Sequence, residues 1–125
     1  MAGASWVQTN ILEAYPDADI DVTAVWFNML FSDSRESWDP NLLTDPRVTH
    51  YWDPDQDIGR WFDQNEQVIG FEFNKGPVVW DSFLLFGPEA TWSGFPAPLI
   101  SFGNTVIADN DELHEATMTL LGPIP

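Results

Sequence analysis

Three side chains have the chemistry of an acid–base site: the carboxylates of Asp33 and Asp81 and the imidazole of His50. Neighbouring carboxylates orient an imidazole and stabilise its protonated form, which lets the ring exchange protons with a substrate. The spacing does not require the three to meet, and each also has a structural interpretation. A histidine on a strand face shared with Val48 and Trp52 is commonly a core residue. Asp81 should be paired or face outward, because an unpaired buried carboxylate is costly.

A second group of carboxylates, Asp53, Asp55 and Asp57, has the spacing with which a calcium-binding loop begins. An EF-hand loop would then need glycine at its sixth position and glutamate at its twelfth, where this chain has Ile58 and Gln64. The acidic first turn of a helix, stabilised by the helix dipole, explains these residues better. The sequence therefore predicts neither a metal site nor a cofactor.

The chain is strongly acidic, with 20 aspartate and glutamate residues against four lysine and arginine residues and a formal charge of −16. Such a charge repels nucleic-acid phosphates and anionic lipids, so we expect neither nucleic acid nor a membrane as a partner. Three explanations stay open. They are solubility in a salt-rich cytoplasm, as in halophilic adaptation, binding of cations, and a decoy surface for a basic protein.

The sequence contains no cysteine, which excludes disulfide bonds, thiolate metal sites and every thiol-based mechanism. No apolar run is long enough to span a bilayer, and the first residues lack a basic segment followed by an apolar one. We therefore expect a cytoplasmic location. With 44% hydrophobic residues in 125 positions, the chain should fold as a single domain, residues 1–125, with one core.

The elements that must position these residues are organised around an apolar strand predicted over Asp21–Leu30. It has almost no polar face, which is typical of a central strand covered on both sides. A polar turn follows, and open α/β sheets bind ligands at the carboxyl ends of their strands. The first place to look for a binding site is this turn, where a helix N-terminus and a guanidinium could hold an anion. The alternative is a helix cap with a local ion pair. The turn consists of Phe31, Ser32, Asp33, Ser34 and Arg35.

The remaining pattern predicts the order helix, strand, helix, strand, helix, strand, strand, helix. The predicted helices begin at Ser5, near Ser34, at Asp53 and at Asp109 or Asp111. The other predicted strands are 47–52, 78–86 and 99–102, with a turn at 87–90 and with 68–74 undecided between strand and loop. Strands joined through helices lie parallel, and the last two, joined directly, form an antiparallel hairpin. We therefore predict an α/β fold with one mixed central sheet and helices on both faces.

This order resembles the thioredoxin fold preceded by one helix, over residues 18–121. Val25 and Trp26 end a strand that runs into a polar turn, where thioredoxins have Trp-Cys-x-x-Cys. Pro77 precedes an apolar strand, as the cis-proline does in thioredoxins, and a final Asp-capped helix also fits. The group that the chain resembles consists of uncharacterised thioredoxin-like proteins. Its recognisable positions are Asp33, Arg35, Asp45-Pro46-Arg47-Val48, His50, Trp52-Asp53 and Trp80-Asp81.

The chain departs from the thioredoxin pattern at the redox site, where residues 31–34 read Phe-Ser-Asp-Ser. Thiol–disulfide exchange needs two thiols and is therefore excluded. The resemblance implies a binding or structural role, with a groove between this turn, Pro77 and Trp80. Gly76 before Pro77 would allow a cis peptide bond.

Three functions are thus predicted in order of preference. The first is a non-redox thioredoxin-like domain that binds an unidentified protein or small ligand. The second is a cofactor-independent acid–base enzyme using Asp33, His50 and Asp81, and the third is an acidic decoy. The aromatic–proline segment bears on the first, because exposed aromatic residues rimmed by acids indicate a protein interface, whereas buried ones belong to the core. The segment contains Trp92, Phe95, Pro96 and Pro98.

Overall fold

The computed structural model describes residues 2–27, 39, 41–73 and 78–125, which form helices and strands in an α/β arrangement. The N-terminal elements are helix α1 (Ala2–Val7), a π-helical segment (Gln8–Leu12) and strands β1 (Val22–Trp26) and β2 (Val48–Trp52). Helices α2 (Asp57–Gln64) and α3 (Glu66–Ile69), strands β3 (Phe83–Trp92) and β4 (Pro96–Gly103) and helix α4 (Asn110–Leu121) follow. The chain divides into an N-terminal unit, Met1–Ile58, and a C-terminal unit, Gly59–Pro125.

The structure contains a parallel strand pair and an antiparallel hairpin, as the sequence predicts. β1 and β2 are parallel, in a register that runs from Val22 opposite Val48 to Trp26 opposite Trp52, and β3 and β4 are antiparallel. Within the described ranges these pairs are two separate two-stranded sheets, whereas we expected one mixed sheet. The strand predicted to begin at Val78 begins only at Phe83, because Asp81 has a φ of 53°, which ends an extended backbone.

The N-terminal unit is close to its prediction where it is described. Its first helix begins at Ala2, before the expected cap Ser5, and β2 alternates as predicted, with Thr49 and Tyr51 exposed and the other positions half-buried. The predicted helix near Ser34–Leu43 falls mostly outside the described residues, and its described end, 41–43, is a turn and bend. The buried apolar residues of this unit are Ile11, Leu12, Tyr15 and Leu43.

The C-terminal unit has an aromatic core. The stretch left undecided between strand and loop places Phe71 and Phe73 at its centre, with their ring centroids 4.6 Å apart, and the ring of Phe102 lies 5.7 Å from that of Phe73. Ile69 completes the buried cluster. Half-buried side chains that pack against it are Trp61, Phe62, Val79, Leu84, Phe95 and Leu99. The aromatic–proline segment is therefore divided, since Phe95 packs on the core while Trp92 is 62% exposed.

The hairpin differs from its prediction at residues 87–90. Phe86 pairs with Leu99 and Thr91 with Ala97, so four residues of β3 lie opposite Pro98 alone. The Gly-Pro pair that predicted the hairpin turn is thus part of a four-residue irregularity inside β3, which we call the bulge. Ala97–Pro98 is the cis peptide bond of the described chain, while Gly76–Pro77 lies outside the described residues.

Helix α4 packs against β4. Leu113 and Thr117 are buried, and the Thr117 hydroxyl donates a hydrogen bond of 2.7 Å to the Leu113 carbonyl. Met118, Leu120 and Leu121 are apolar but exposed. None of the helices in the described ranges is both long and apolar enough to cross a membrane.

Candidate functional site

Most of the predicted binding groove falls outside the described residues. This applies to Phe31, Ser32, Asp33, Ser34, Arg35 and Pro77. Trp80 is described and is half-buried, immediately before the turn at Asp81. The groove between these segments therefore stays a prediction.

His50 is held by hydrogen bonds at both ring nitrogens. Trp26 Nε1 lies 2.9 Å from His50 Nδ1, and His50 Nε2 lies 3.0 Å from the Leu43 carbonyl oxygen. An indole N–H can only donate and a carbonyl can only accept, so Nδ1 accepts and Nε2 carries the hydrogen. The two rings are nearly parallel, with centroids 6.1 Å apart. His50 in this tautomer links β1, β2 and the segment before β2, as in the structural interpretation.

The other members of the predicted acid–base site are Asp33 and Asp81, and a meeting of the three side chains stays a prediction. Asp33 lies outside the described residues, and Asp81 belongs to the C-terminal unit whereas His50 belongs to the N-terminal unit. Asp81 is exposed, as the structural interpretation requires, and its carbonyl accepts a 2.9 Å hydrogen bond from the Val106 N–H. It therefore has a role in the turn that precedes β3.

Asp53 is buried and serves as a helix cap. Its two carboxylate oxygens accept the N–H groups of Asp57 at 3.0 Å and Ile58 at 2.8 Å, which are the first two residues of α2. Asp53 caps the helix as predicted, but the helix was expected to begin at Pro54 and begins three residues later, at Asp57, with Gln56 at a φ of 60°. Asp55 and Asp57 are exposed, and the described residues contain no group of three acidic, histidine or cysteine side chains that could hold a metal.

Arg47 forms the densest polar network in the N-terminal unit. Its Nε and one terminal nitrogen bind the two Asp45 oxygens at 2.9 and 2.8 Å. The remaining N–H groups bind the carbonyls of Leu12, Tyr15 and Ala18 at 2.8–2.9 Å, which satisfies all five guanidinium donors. The hydrogen bonds from Arg47 lower the pKa of Asp45 to about 2. We call this set the Arg47 network, and its geometry is that of a structural clamp.

The C-terminal unit contains an apolar groove that sequence analysis missed. Its volume is about 240 Å³, and it lies beside the bulge of β3. We define the apolar groove by its lining residues, Gly87, Pro88, Glu89, Pro98, Ile100 and Leu120.

Gly87 keeps the floor of the apolar groove open. A Cβ atom at this position would lie 2.5 Å from Ile100 Cδ1 and 3.8 Å from Leu120 Cδ2. The first distance is too short for any side chain unless Ile100 moves, so glycine lets Ile100 and Leu120 approach the β3 backbone. The register shift of the bulge includes Pro88 and Glu89, which are exposed, and bulges re-aim side chains beside many functional sites.

The electrostatic surroundings of the apolar groove are negative. Glu89 is the charged residue of its lining, and α4 has no basic residue in its last turn, where Leu120 lies. The negative end of a helix dipole is normally complemented by lysine or arginine at that point. From Gly59 to Pro125 the sequence has nine acidic residues and two basic ones, Arg60 and Lys75.

One sequence signal could have revealed the apolar groove. Met118 and Leu120 are two residues apart and thus lie on nearly opposite sides of a helix with 3.6 residues per turn, so one narrow buried face cannot contain both. At Gly87-Pro88 the sequence favours a turn over a bulge, and no local pattern distinguishes the two.

In comparisons with known proteins, no protein-family model, no curated protein and no solved structure matches this chain.

Proposed function

We propose that the chain is a cysteine-free, cytoplasmic, thioredoxin-like domain that binds another protein through the apolar groove. The observation that carries the proposal is apolar surface left open on a small unit that already has a complete aromatic core. Ile100 is 45% exposed, and Leu120, Leu121 and Met118 on α4 are also exposed. Exposed apolar surface rimmed by polar groups is typical of protein–protein interaction sites.

The thioredoxin-like part of the proposal rests on chain order. A parallel pair β1–β2, an antiparallel pair β3–β4 and a final helix α4 occur in the order that the resemblance implies. Because the chain has no cysteine, binding and not thiol exchange is the role that such a fold can fulfil here.

An acid–base enzyme centred on His50 has less support. Both ring nitrogens of His50 already have partners within the protein, so a proton transfer to a substrate would first have to break one of these hydrogen bonds. The apolar groove needs no such rearrangement to accept a ligand.

Selection from a displayed random-peptide library tests the proposal. Peptides enriched on the wild-type protein are assayed against the Ile100→Ser and Ile107→Ser variants. Ile107 is the matched control, because it is 47% exposed and does not line the apolar groove. We expect enriched peptides that bind about tenfold more weakly to Ile100→Ser and unchanged to Ile107→Ser. Absence of enrichment, or equal losses in the two variants, would overturn the proposal.

A further inference from the structure

We infer that the apolar groove receives a cationic amphipathic segment of a partner protein. One apolar side chain of that segment enters the groove, and a flanking lysine or arginine lies against Glu89 and the carboxyl end of α4. This inference rests on the proposed function and adds the chemical class of the partner.

The size of the apolar groove favours a side chain over a small molecule. Its volume of about 240 Å³ is below the roughly 300–1,000 Å³ of typical small-molecule pockets. The lining has one charged side chain, the carboxylate of Glu89, and a single such group does not fix the orientation of a cofactor. An apolar anchor from an amphipathic segment needs only a short apolar cleft with polar groups at its rim.

The negative charge around the apolar groove indicates that the partner segment is positively charged. Glu89 has no ion pair with any residue that the structure describes, and no lysine, arginine or histidine lines the groove. A lysine or arginine on the partner would therefore meet an uncompensated carboxylate and the negative end of the α4 dipole.

The same charge disfavours other occupants. A second copy of this chain would bring another −16 charge to the interface, and a nucleic acid or an anionic membrane would be repelled as well. A basic protein segment is the class of macromolecule that benefits from both the apolar cleft and the negative potential.

Binding of three synthetic peptides, measured by fluorescence anisotropy, tests the inference. The first is an amphipathic peptide of leucine and lysine, the second replaces its lysines with glutamine, and the third replaces its leucines with serine. We expect the leucine–lysine peptide to bind most tightly, and its affinity to fall about tenfold with Ile100→Ser but not with Ile107→Ser. Gly87→Ala is a second variant, in case Ile100→Ser perturbs the fold: its Cβ would displace Ile100 from its place in the lining without removing apolar surface, and we expect a similar loss of affinity.

A charge-matched pair of variants tests the role of Glu89. Glu89→Gln and Glu115→Gln change the net charge equally, but Glu115 lies on the exposed side of α4 away from the groove lining. We expect Glu89→Gln to weaken binding of the leucine–lysine peptide about threefold. Glu115→Gln should change the affinity by less than about 1.5-fold. Equal effects would mean that only net charge matters and would overturn the inference.

The outcomes separate this inference from the proposed function. If library peptides bind at Ile100 but are neutral or acidic, the proposed function stands and the cationic partner is wrong. If the leucine–lysine peptide binds equally to the Ile100→Ser and Ile107→Ser variants, the groove is not its site. Self-association that Ile100→Ser abolishes would assign the groove to a second copy and overturn the inference as well.

Discussion

The two units of the chain use opposite chemistry to hold themselves together. In the N-terminal unit, Arg47 connects Asp45 to three backbone carbonyls, and His50 connects Trp26 to Leu43. In the C-terminal unit, packed rings of phenylalanine and tryptophan surround Phe71 and Phe73.

This contrast separates the side chains that could do acid–base chemistry from the surface that could bind a partner. Of the side chains that resemble an active site in the sequence, His50 and Asp53 have hydrogen-bond partners within the N-terminal unit. The C-terminal unit leaves apolar side chains exposed around the groove. A chain with four cations can thus use Arg47 for structure and leave recognition to apolar surface and negative charge.

The largest expected effect is on the aromatic core. Replacing the buried Phe73 by alanine removes a ring that packs on Phe71 and Phe102, and we expect the free energy of unfolding to fall by about 4 kcal/mol. Trp92→Ala is the control, since that ring is largely exposed and stacks mainly on Trp61, and it should cost about 1 kcal/mol or less. Urea unfolding followed by far-UV circular dichroism measures both. Similar losses in the two variants would show that Phe73 is not at the centre of the core.

The Arg47 network should give the next largest effect. Arg47→Ala leaves three carbonyls and the Asp45 carboxylate without their guanidinium donors, and we expect a loss of about 3 kcal/mol in the free energy of unfolding. Arg47→Lys should recover only a small part, because an ammonium group cannot reproduce the planar fork. The exposed Arg60 is the control, and its replacement by alanine should cost less than about 1 kcal/mol. If Arg47→Lys had the stability of the wild type, the charge of Arg47 and not its five-donor geometry would stabilise the fold.

The prediction of these two units from sequence succeeded where the signal was local. The alternation of Val48 to Trp52 and the cap formed by Asp53 follow from residue periodicity and side-chain chemistry, and both are found in the structure. The parallel pair and the hairpin were also predictable from the order of elements.

What could not be predicted depends on contacts between distant residues. The three carbonyl partners of Arg47 lie 29 to 35 residues earlier in the sequence, and no local sequence pattern predicts that they converge on its guanidinium group. The bulge at residues 87–90 depends on how β4 passes Pro98, which the Gly-Pro signal alone does not show. The apolar groove was missed for this reason, since it exists only where the bulge, β4 and α4 meet.

Acid should weaken the N-terminal unit through Asp45. The pKa of this carboxyl is lowered from 3.8 to about 2, chiefly by the hydrogen bonds from the Arg47 side chain and backbone. A carboxyl with a lowered pKa in the folded state stabilises the fold above its ordinary pKa, and this contribution disappears as the pH falls through about 4 towards about 2. The difference in stability between the wild type and Asp45→Asn should therefore shrink over that range. In an Arg47→Ala background the same difference should be smaller, because only the hydrogen bond from the backbone N–H of residue 47 to the Asp45 carboxylate remains.

The smallest expected effect comes from the corresponding change in the other unit. Asp81→Asn should alter the free energy of unfolding by less than about 0.5 kcal/mol, because Asp81 is exposed and asparagine tolerates its left-handed backbone. Asp81→Val should cost about 1 kcal/mol or more, since a β-branched residue is strained at a φ of 53°. Thermal unfolding of the two variants beside Asp45→Asn compares one aspartate that acts through its charge with one that acts through its backbone. If Asp81→Asn were as damaging as Asp45→Asn, the Asp81 carboxylate would have to take part in a polar site of its own, and the contrast between the two units would fail.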